Sequence, residues 1–140
     1  MSRSSAPELW NRHIWDSAQV WQLAPKAAHW ADFGSGGGFP ALICAVFAKH
    51  EASETEFTLV ESDQRKSTFL RTAIRELGLN ATVLSRRIEQ LEPLNADVIS
   101  ARALSQLTDL LAFAAQHMSV DGQALFPKGG SFRRAHGAGQ

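Results

Sequence analysis

The sequence predicts an α/β protein with a doubly wound, mainly parallel sheet. Five short segments with strand character alternate with segments of helical periodicity between residues 29 and 126. This alternation is typical of βαβ crossovers, which place parallel strands side by side and cover both faces of the sheet with helices. A glycine-rich run at 34–38 follows the first strand, where such a sheet brings its backbone close to a ligand.

The first half of the chain contains three helical segments and two strands. A leading helix is predicted over 7–23 from an apolar stripe at helical spacing, which consists of Trp10, Ile14, Ala18 and Trp21. Pro25 ends this helix, and a strand follows at 29–33. Pro40 suits the first turn of the next helix, which runs to about residue 49.

The second strand, at 57–60, leads into a helix over 64–77. Ser62 or Asp63 can cap its start, and Gly78 is expected to end it. The predicted buried face consists of Phe69, Leu70, Ile74 and Leu77.

The rest of the chain continues the alternation and then loses it. The predicted elements are strands at 81–84, 96–100 and 123–126, a helical turn at 88–91, a helix at 105–117, and a turn at Asp121 and Gly122. The last segment, GGSFRRAHGAGQ, has no apolar periodicity. We therefore predict one domain over 1–129, with a leading helix within 1–24 and a core over 29–129, followed by a flexible tail at 130–140.

Overall charge predicts no nucleic-acid partner, because 14 basic and 14 acidic residues balance to zero. The basic residues nevertheless cluster, which suits either a phosphate-binding face or an ordinary solvated one. The clustered residues are Arg65, Lys66, Arg71, Arg75, Arg86, Arg87, Lys128, Arg133 and Arg134.

The single cysteine, Cys44, lies in the apolar run ALICAVFA and is predicted to be a buried structural thiol. No Cys/His spacing indicates a metal site. Without a signal peptide or an apolar run of about 18 residues, the protein is expected to be soluble and cytoplasmic.

Two acidic residues frame the glycine run. Asp32 lies two places before Gly34, and Glu61 follows the second strand, 25 residues after Gly36. A carboxylate at the second place can accept hydrogen bonds from both hydroxyls of a ribose. The pair predicts a site for a cofactor that contains a nucleoside.

More than one ligand fits this spacing. Gly36, Gly38 and Ala41 match the dinucleotide pattern GxGxxG/A, so NAD stays open, as does a glycine-rich turn without a ligand. Asp32 favours S-adenosylmethionine, because a carboxylate repels a pyrophosphate but attracts ammonium and sulfonium groups. Loop N–H groups would then hold the methionine carboxylate.

Six motifs in order resemble the RsmG (GidB) family of bacterial small-subunit rRNA guanine-N7 methyltransferases. They are RHIWDSA, DFGSGGGFP, LVESDQRKSTFLR, SRRIEQL, DVISARAL and LFPKG. The match covers residues 11–129 and implies a class I (Rossmann-like) S-adenosylmethionine-dependent methyltransferase fold. Against the family pattern the chain is short at both ends, and it is expected to lack the terminal strand pair of the sheet.

The resemblance also implies roles for individual residues. The residues implied to line the methionine end of the cofactor are Asp32, Gly34, Gly36 and Phe39. Glu61 would bind the ribose, and the adenine pocket would be formed by Arg87, Ile88 and Glu89. Arg102 would stand at the mouth where the substrate base enters, as both a cofactor-binding and a substrate-binding residue. The other implied substrate-binding positions are His13, Asp16 and Lys128.

The chemistry of guanine N7 agrees with this set of residues. N7 carries a lone pair in the neutral base, so the enzyme needs alignment rather than a general base, and no catalytic residue beyond positioning by Arg102 is assigned. Adenine amino methylation goes with an Asn/Asp-Pro-Pro-aromatic motif, whereas the fourth strand here is followed by Ala101, Arg102 and Ala103. Cytosine-C5 methylation needs a cysteine nucleophile, and Cys44 lies on the wrong helix.

The expected partner is 16S rRNA or the small-subunit particle, and the expected state is a monomer without a metal or a membrane. Two alternatives stay open. One is an inactive or truncated fragment that binds S-adenosylmethionine. The other is a methyltransferase for a non-RNA substrate.

Overall fold

The computed structural model describes residues 5–23, 27–33, 40–101, 107–128 and 131–136, with side chains over 14–23, 27–33, 40–101 and 112–125. The helices of this part are α1 (Ser5–Leu23), α2 (Ala41–His50), α3 (Gln64–Leu77) and α4 (Leu107–His117). The strands are β1 (His29–Phe33), β2 (Glu56–Val60), β3 (Ala81–Leu84), β4 (Ala96–Ala101), β5 (Met118–Lys128) and β6 (Ser131–His136). A 3-10 turn spans Ile88–Gln90.

These strands form one sheet in the order β3-β2-β1-β4-β5-β6. Neighbouring strands from β3 to β5 are parallel, and β6 is antiparallel to β5. The chain runs outward from β1 to β3 and then crosses back to β4 on the other side of β1. The doubly wound, mainly parallel sheet predicted from the sequence is therefore confirmed.

The two faces of the sheet carry separate hydrophobic cores. One contains Trp21 of α1, Trp30 of β1 and Phe57 of β2, whose ring centroids lie 5.5 to 6.2 Å apart. The other contains Phe33 of β1 and the Phe113 ring packed edge-on against it. Successive strand residues point to opposite faces, so a single strand such as β1 supplies both cores.

The leading helix packs through its last turns. Trp21 is buried as predicted, and its indole N–H donates to Glu51 at 3.1 Å. Ile14, predicted to share the apolar stripe, is 41% exposed, while Ser17 and Val20 are buried instead. The stripe identifies the right helix and one of its buried residues, Trp21, but the buried face is completed by Ser17 and Val20 rather than by Ile14.

Helix α3 begins and ends where the sequence predicts. The Asp63 side chain accepts the Lys66 backbone N–H at 3.0 Å, which caps the first turn. Gly78 follows the last residue in the left-handed conformation, with φ of 64°, and its N–H returns to the Arg75 carbonyl.

The buried face of α3 is narrower than predicted. Leu70 is buried and Ile74 is partly buried, but Phe69 and Leu77 are 52% and 48% exposed. Ser67 completes the contact face, with its hydroxyl donating to the Glu61 carbonyl at 2.9 Å. Ser67, a polar residue, is therefore part of the buried face of α3, although a pattern of apolar residues alone does not predict its burial.

Two predictions near the end of the chain are wrong. Residues 121 and 122 do not form a turn but continue β5, where the register passes from Ala96 opposite Met118 to Val98 opposite Gln123. Gly122 makes this irregularity possible, because a Cβ there would lie 2.9 Å from the Ala96 carbonyl oxygen. The Asp-Gly dipeptide marks a departure from regular pairing rather than a chain reversal.

The predicted flexible tail also contains a strand. Ser131–His136 pairs antiparallel with β5, from Lys128 opposite Ser131 to Gln123 opposite His136. An unpaired edge of β5 would leave a row of backbone N–H and C=O groups without sheet partners, and this pairing satisfies them despite the weak strand propensity of the segment. One strand therefore stands beyond β5, where the sequence predicts that the terminal strand pair is lacking, and residues 137–140 lie outside the described part.

Among the described helices, none combines the length and apolar character that a membrane span requires.

Replacing Gly78 by alanine is expected to lower the free energy of unfolding by about 1 kcal/mol. The φ of 64° disfavours any residue with a Cβ, and that Cβ would lie 3.0 Å from the Lys49 Nζ. Urea unfolding measures the change. Gly78→Asn is the matched control, since asparagine tolerates this conformation and is expected to lose less. Equal losses in the two variants would contradict the argument.

Candidate functional site

The order of the strands locates a crevice at the carboxyl ends of β1 and β4. The chain leaves β1 toward β2 and leaves β4 toward β5, in opposite directions along the sheet. In doubly wound sheets, ligands bind outside the carboxyl ends of the two strands at such a switch point. Asp32 of β1 lies opposite Ser100 of β4 at this place, one residue before both strands end.

Asp32 is held in a buried hydrogen-bonded chain. The Ser100 hydroxyl donates to Asp32 Oδ1 at 2.5 Å, and the Trp30 indole N–H donates to the Ser100 oxygen at 2.9 Å. Asp32 is 1% exposed, and Trp30 and Ser100 are fully buried. A buried carboxylate without hydrogen bonds lowers the stability of the fold. These two hydrogen bonds therefore stabilise the carboxylate at the crevice and fix its direction.

The negative charge of this carboxylate acts on the thiol of Cys44 in α2. Burial raises the pKa of the Cys44 thiol well above its ordinary value, and the negative charge of Asp32 raises it further. The thiol lies 3.5 Å from the Ser17 carbonyl, to which it donates. The prediction of a buried structural thiol is confirmed, and a protonated thiol is a poor nucleophile.

Glu61 is the second carboxylate at this edge of the sheet. It follows directly after β2 and is 8% exposed. Its Oε2 accepts the Asp63 backbone N–H at 3.0 Å, and its own N–H donates to the Leu84 carbonyl at the end of β3. Glu61 is thus fixed between the end of β3 and the start of α3.

The 3-10 turn lies beyond the end of β3, next in line along the same edge. Ile88 is partly buried, whereas Arg87 and Glu89 are exposed. Two backbone bonds close the turn, from Gln90 N to Arg87 O at 3.1 Å and from Leu91 N to Ile88 O at 3.2 Å. The backbone N–H groups of the first residues in such a turn take no part in these two bonds, so the turn itself provides no acceptor for them.

The structure therefore brings together Asp32, Glu61 and the turn carrying Ile88, at the ends of β1, β2 and β3. Asp16 is partly buried on α1. His13 lies in α1 and Lys128 ends β5, but their side chains are not described. The predicted site residues that lie outside the described part of the chain are Gly34, Gly36, Phe39 and Arg102.

Sequence reasoning missed the residues that support the carboxylate. Ser100 and Trp30 become partners of Asp32 only through the strand register, which places Asp32 opposite Ser100. A signal for Trp30 is present in the sequence, because it stands two residues before Asp32 and so points to the same face of the strand. No comparable signal identifies Ser100.

Within the described part of the chain, no group of three or more His, Cys, Asp or Glu side chains is arranged to hold a metal ion.

Comparison with known proteins relates this chain to one family of methyltransferases. The model of the GidB family, described as rRNA small subunit methyltransferase G, matches residues 1–136. A protein of Ruegeria pomeroyi named ribosomal RNA small subunit methyltransferase G is 57% identical over 134 residues, which cover 96% of this chain and 66% of the relative. A Cereibacter sphaeroides protein of the same name is 56% identical over 133 residues, covering 94% of this chain and 64% of the relative. The chain thus spans about two thirds of the length of these relatives.

Solved structures with a similar fold include methyltransferases. An RNA methyltransferase from Salinibacter ruber in complex with S-adenosyl-L-homocysteine has a TM-score of 0.66 at 16% identity, covering 79% of this chain and 72% of that one. Coclaurine N-methyltransferase bound to N-methylheliamine and SAH has a TM-score of 0.68 at 20% identity, covering 81% of this chain and 35% of that one. These similarities confirm the class I methyltransferase fold.

Replacing Ser100 by alanine is expected to lower the free energy of unfolding by about 1–3 kcal/mol. The change removes a donor from the buried Asp32 carboxylate and the acceptor of the Trp30 indole N–H. Chemical denaturation measures the loss. Thr68→Ala is the control, because its exposed hydroxyl only donates to the Gln64 carbonyl within α3. A loss of stability at Ser100 no larger than at Thr68 would refute the stabilising role of the hydrogen bonds that join Trp30, Ser100 and Asp32.

Cys44 is expected to react slowly with a thiol reagent in the folded protein at mildly alkaline pH, and rapidly in denaturant. Burial and Asp32 raise its pKa, so the folded protein holds less thiolate than the unfolded chain. The same shift means that stability declines as pH rises above the ordinary pKa of a thiol, since the unfolded chain then releases the proton first. Absorbance of the released dye measures labelling, and equal rates in the two states would contradict the assignment.

Proposed function

Because the chain belongs to the GidB family of rRNA small subunit methyltransferases, we propose that it transfers a methyl group from S-adenosylmethionine to N7 of a guanine in 16S rRNA. The observation that carries this proposal is the placement of Asp32 and Glu61 at the carboxyl ends of adjacent strands beside the switch point. Both carboxylates are buried and hydrogen-bonded in place. They give the crevice the two acidic groups that a cationic nucleoside ligand requires.

The described residues suit this cofactor better than a dinucleotide. The buried Asp32 carboxylate disfavours an anionic pyrophosphate at the crevice and favours the ammonium and sulfonium groups of S-adenosylmethionine. We assign Glu61 to the ribose hydroxyls and the turn of Arg87, Ile88 and Glu89 to the adenine. The residues assigned with Asp32 to the methionine end are Gly34, Gly36 and Phe39.

The protein's part in the reaction is alignment rather than acid–base chemistry. The bound cofactor supplies a methyl group on a sulfonium, which is open to direct attack. The guanine N7 lone pair needs no deprotonation, so the enzyme gains rate by holding the base in line with the methyl group. The thiol of Cys44, buried and with a raised pKa, offers no competing covalent route. We assign Arg102 to positioning the base, and His13, Asp16 and Lys128 to substrate binding.

The substrate must present an accessible Hoogsteen edge. N7 lies in the deep, narrow groove of A-form RNA, so the target guanine has to come from a loop or be extruded from a helix. We propose 16S rRNA or the small-subunit particle as the partner, the cytoplasm as the compartment and a monomer as the working state. Arg65 and Lys66 at the start of α3, and Arg87 after β3, stand near the same edge of the sheet and suit contacts to RNA phosphates.

The proposal is tested by methyl transfer from labelled S-adenosylmethionine to small subunits and to naked 16S rRNA from cells that lack this methylation. Borohydride reduction followed by aniline cleavage reports methylation at N7. Glu61→Gln is expected to weaken the apparent cofactor affinity about tenfold or more, because a charged acceptor for the ribose is lost. Glu56→Gln, at the exposed start of β2, is the matched control and is expected to behave as wild type.

The outcomes separate the proposal from its alternatives. N7 methylation that depends on Glu61 supports it. Cofactor binding without methylation of either RNA substrate would instead identify a protein that binds S-adenosylmethionine without transferring its methyl group to RNA. Methylation of protein or small molecules in the absence of RNA would identify a different substrate class.

A further inference from the structure

Two adjacent side chains at the end of α4 reach the same short turn. Gln116 Nε2 donates to the Leu91 carbonyl at 3.1 Å, and the Nε2 of His117 lies 3.0 Å from the Ile88 carbonyl. The turn closes with Leu91, so these two carbonyls stand at its start and its end. Two side chains of helix α4 therefore bind the backbone of the 3-10 turn, one at each end of the turn.

The direction of the His117 hydrogen bond is fixed by its partner. A carbonyl oxygen only accepts, so Nε2 must carry the proton that is donated to Ile88. The ring is fully buried and packs edge-on against Phe33 at the end of β1, with centroids 5.6 Å apart. Its Nδ1 is buried without a hydrogen-bond partner in the described residues. A buried nitrogen without a partner costs stability, so the ring is not explained by stability alone.

The turn needs external support. It comprises only three residues, it is closed by two backbone bonds, and Arg87, Glu89 and Gln90 are exposed. A 3-10 turn of this length has poor hydrogen-bond geometry and little intrinsic stability. The Ile88 carbonyl accepts from both Leu91 N and His117 Nε2, so the side chain adds to the bond that closes the turn.

We propose that Gln116 and His117 are positioning residues that hold the turn Ile88–Gln90 in the conformation that receives the adenine of the cofactor. The inference rests on the proposed function, because it takes this turn as the adenine site. His117 also contacts Phe33, the last residue of β1 before the glycine run, so one ring touches both flanks of the cofactor site. The pair acts through the backbone of the turn and not by contact with the cofactor.

This role predicts a change in cofactor affinity with little change in turnover. A loosened turn must be ordered again each time the cofactor binds, which weakens binding by the cost of ordering. Once bound, the cofactor holds the turn, so kcat at saturating cofactor stays the same. His117→Phe is the informative variant, because it keeps an aromatic ring against Phe33 and removes both the donor to Ile88 and the unpartnered Nδ1.

The experiment measures the Kd of S-adenosylhomocysteine by calorimetry and amide hydrogen exchange at Gln90 and Leu91 in the full chain. His117→Phe is expected to raise Kd about tenfold and to speed exchange at both amides, with the kcat of methyl transfer within about twofold of wild type. His117→Gln, which retains an N–H donor, is expected to recover part of the affinity. Thr58→Val is the matched control, because it removes a hydrogen bond to His29 Nε2 at the opposite end of β1.

The outcomes distinguish this inference from the proposed function. Unchanged Kd and unchanged exchange in His117→Phe would overturn the inference while leaving the proposed function intact. Absence of S-adenosylhomocysteine binding by the wild-type chain would overturn the proposed function and the adenine assignment with it. If His117→Phe fails to fold, Gln116→Leu decides the matter, because Gln116 is only partly buried and makes the parallel bond to Leu91.

Discussion

The hydrogen bond from Ser100 to Asp32 joins the two strands that create the crevice. Parallel pairing of β1 with β4 places the residues opposite each other, and the switch in chain direction between these strands opens the space outside their ends. A carboxylate that is 1% exposed persists there because a hydroxyl donates to it and an indole N–H supports the hydroxyl. The aromatic core around Trp30 thereby fixes the acidic group on which the proposed cofactor site depends.

The predictions that succeeded depend on local physics. Strand β1 and helix α3 have the predicted bounds, because local sequence signals set them. The glycines that follow Phe33 end the strand, the Asp63 side chain caps the start of the helix, and Gly78 in the left-handed conformation ends it. The position of Glu61 directly after β2 was predictable for the same reason, because a buried strand must end before the capped helix begins. The doubly wound, mainly parallel sheet followed from the alternation of strands with helices, whereas the order of its strands comes from the structure.

The predictions that failed depend on tertiary contacts. Strand β6 forms because β5 offers an unpaired edge, which the local sequence of 131–136 does not reveal. Phe69 is exposed because α3 packs through Ser67 and Leu70, and periodicity alone does not determine which part of the apolar face meets the sheet. Ser100 and His117 were missed because their partners lie 68 and 29 residues away, at Asp32 and Ile88.

The most direct test of the account is a calorimetric titration of S-adenosylmethionine into the wild-type chain and into Asp32→Asn. We expect saturable binding with one site per chain, weakened at least tenfold in Asp32→Asn because the amide no longer offers a negative charge to the cationic end of the cofactor. Circular dichroism of both proteins confirms that each is folded. Equal affinity in the two folded proteins, or no binding by the folded wild-type chain, would contradict the assignment of the crevice as the cofactor site.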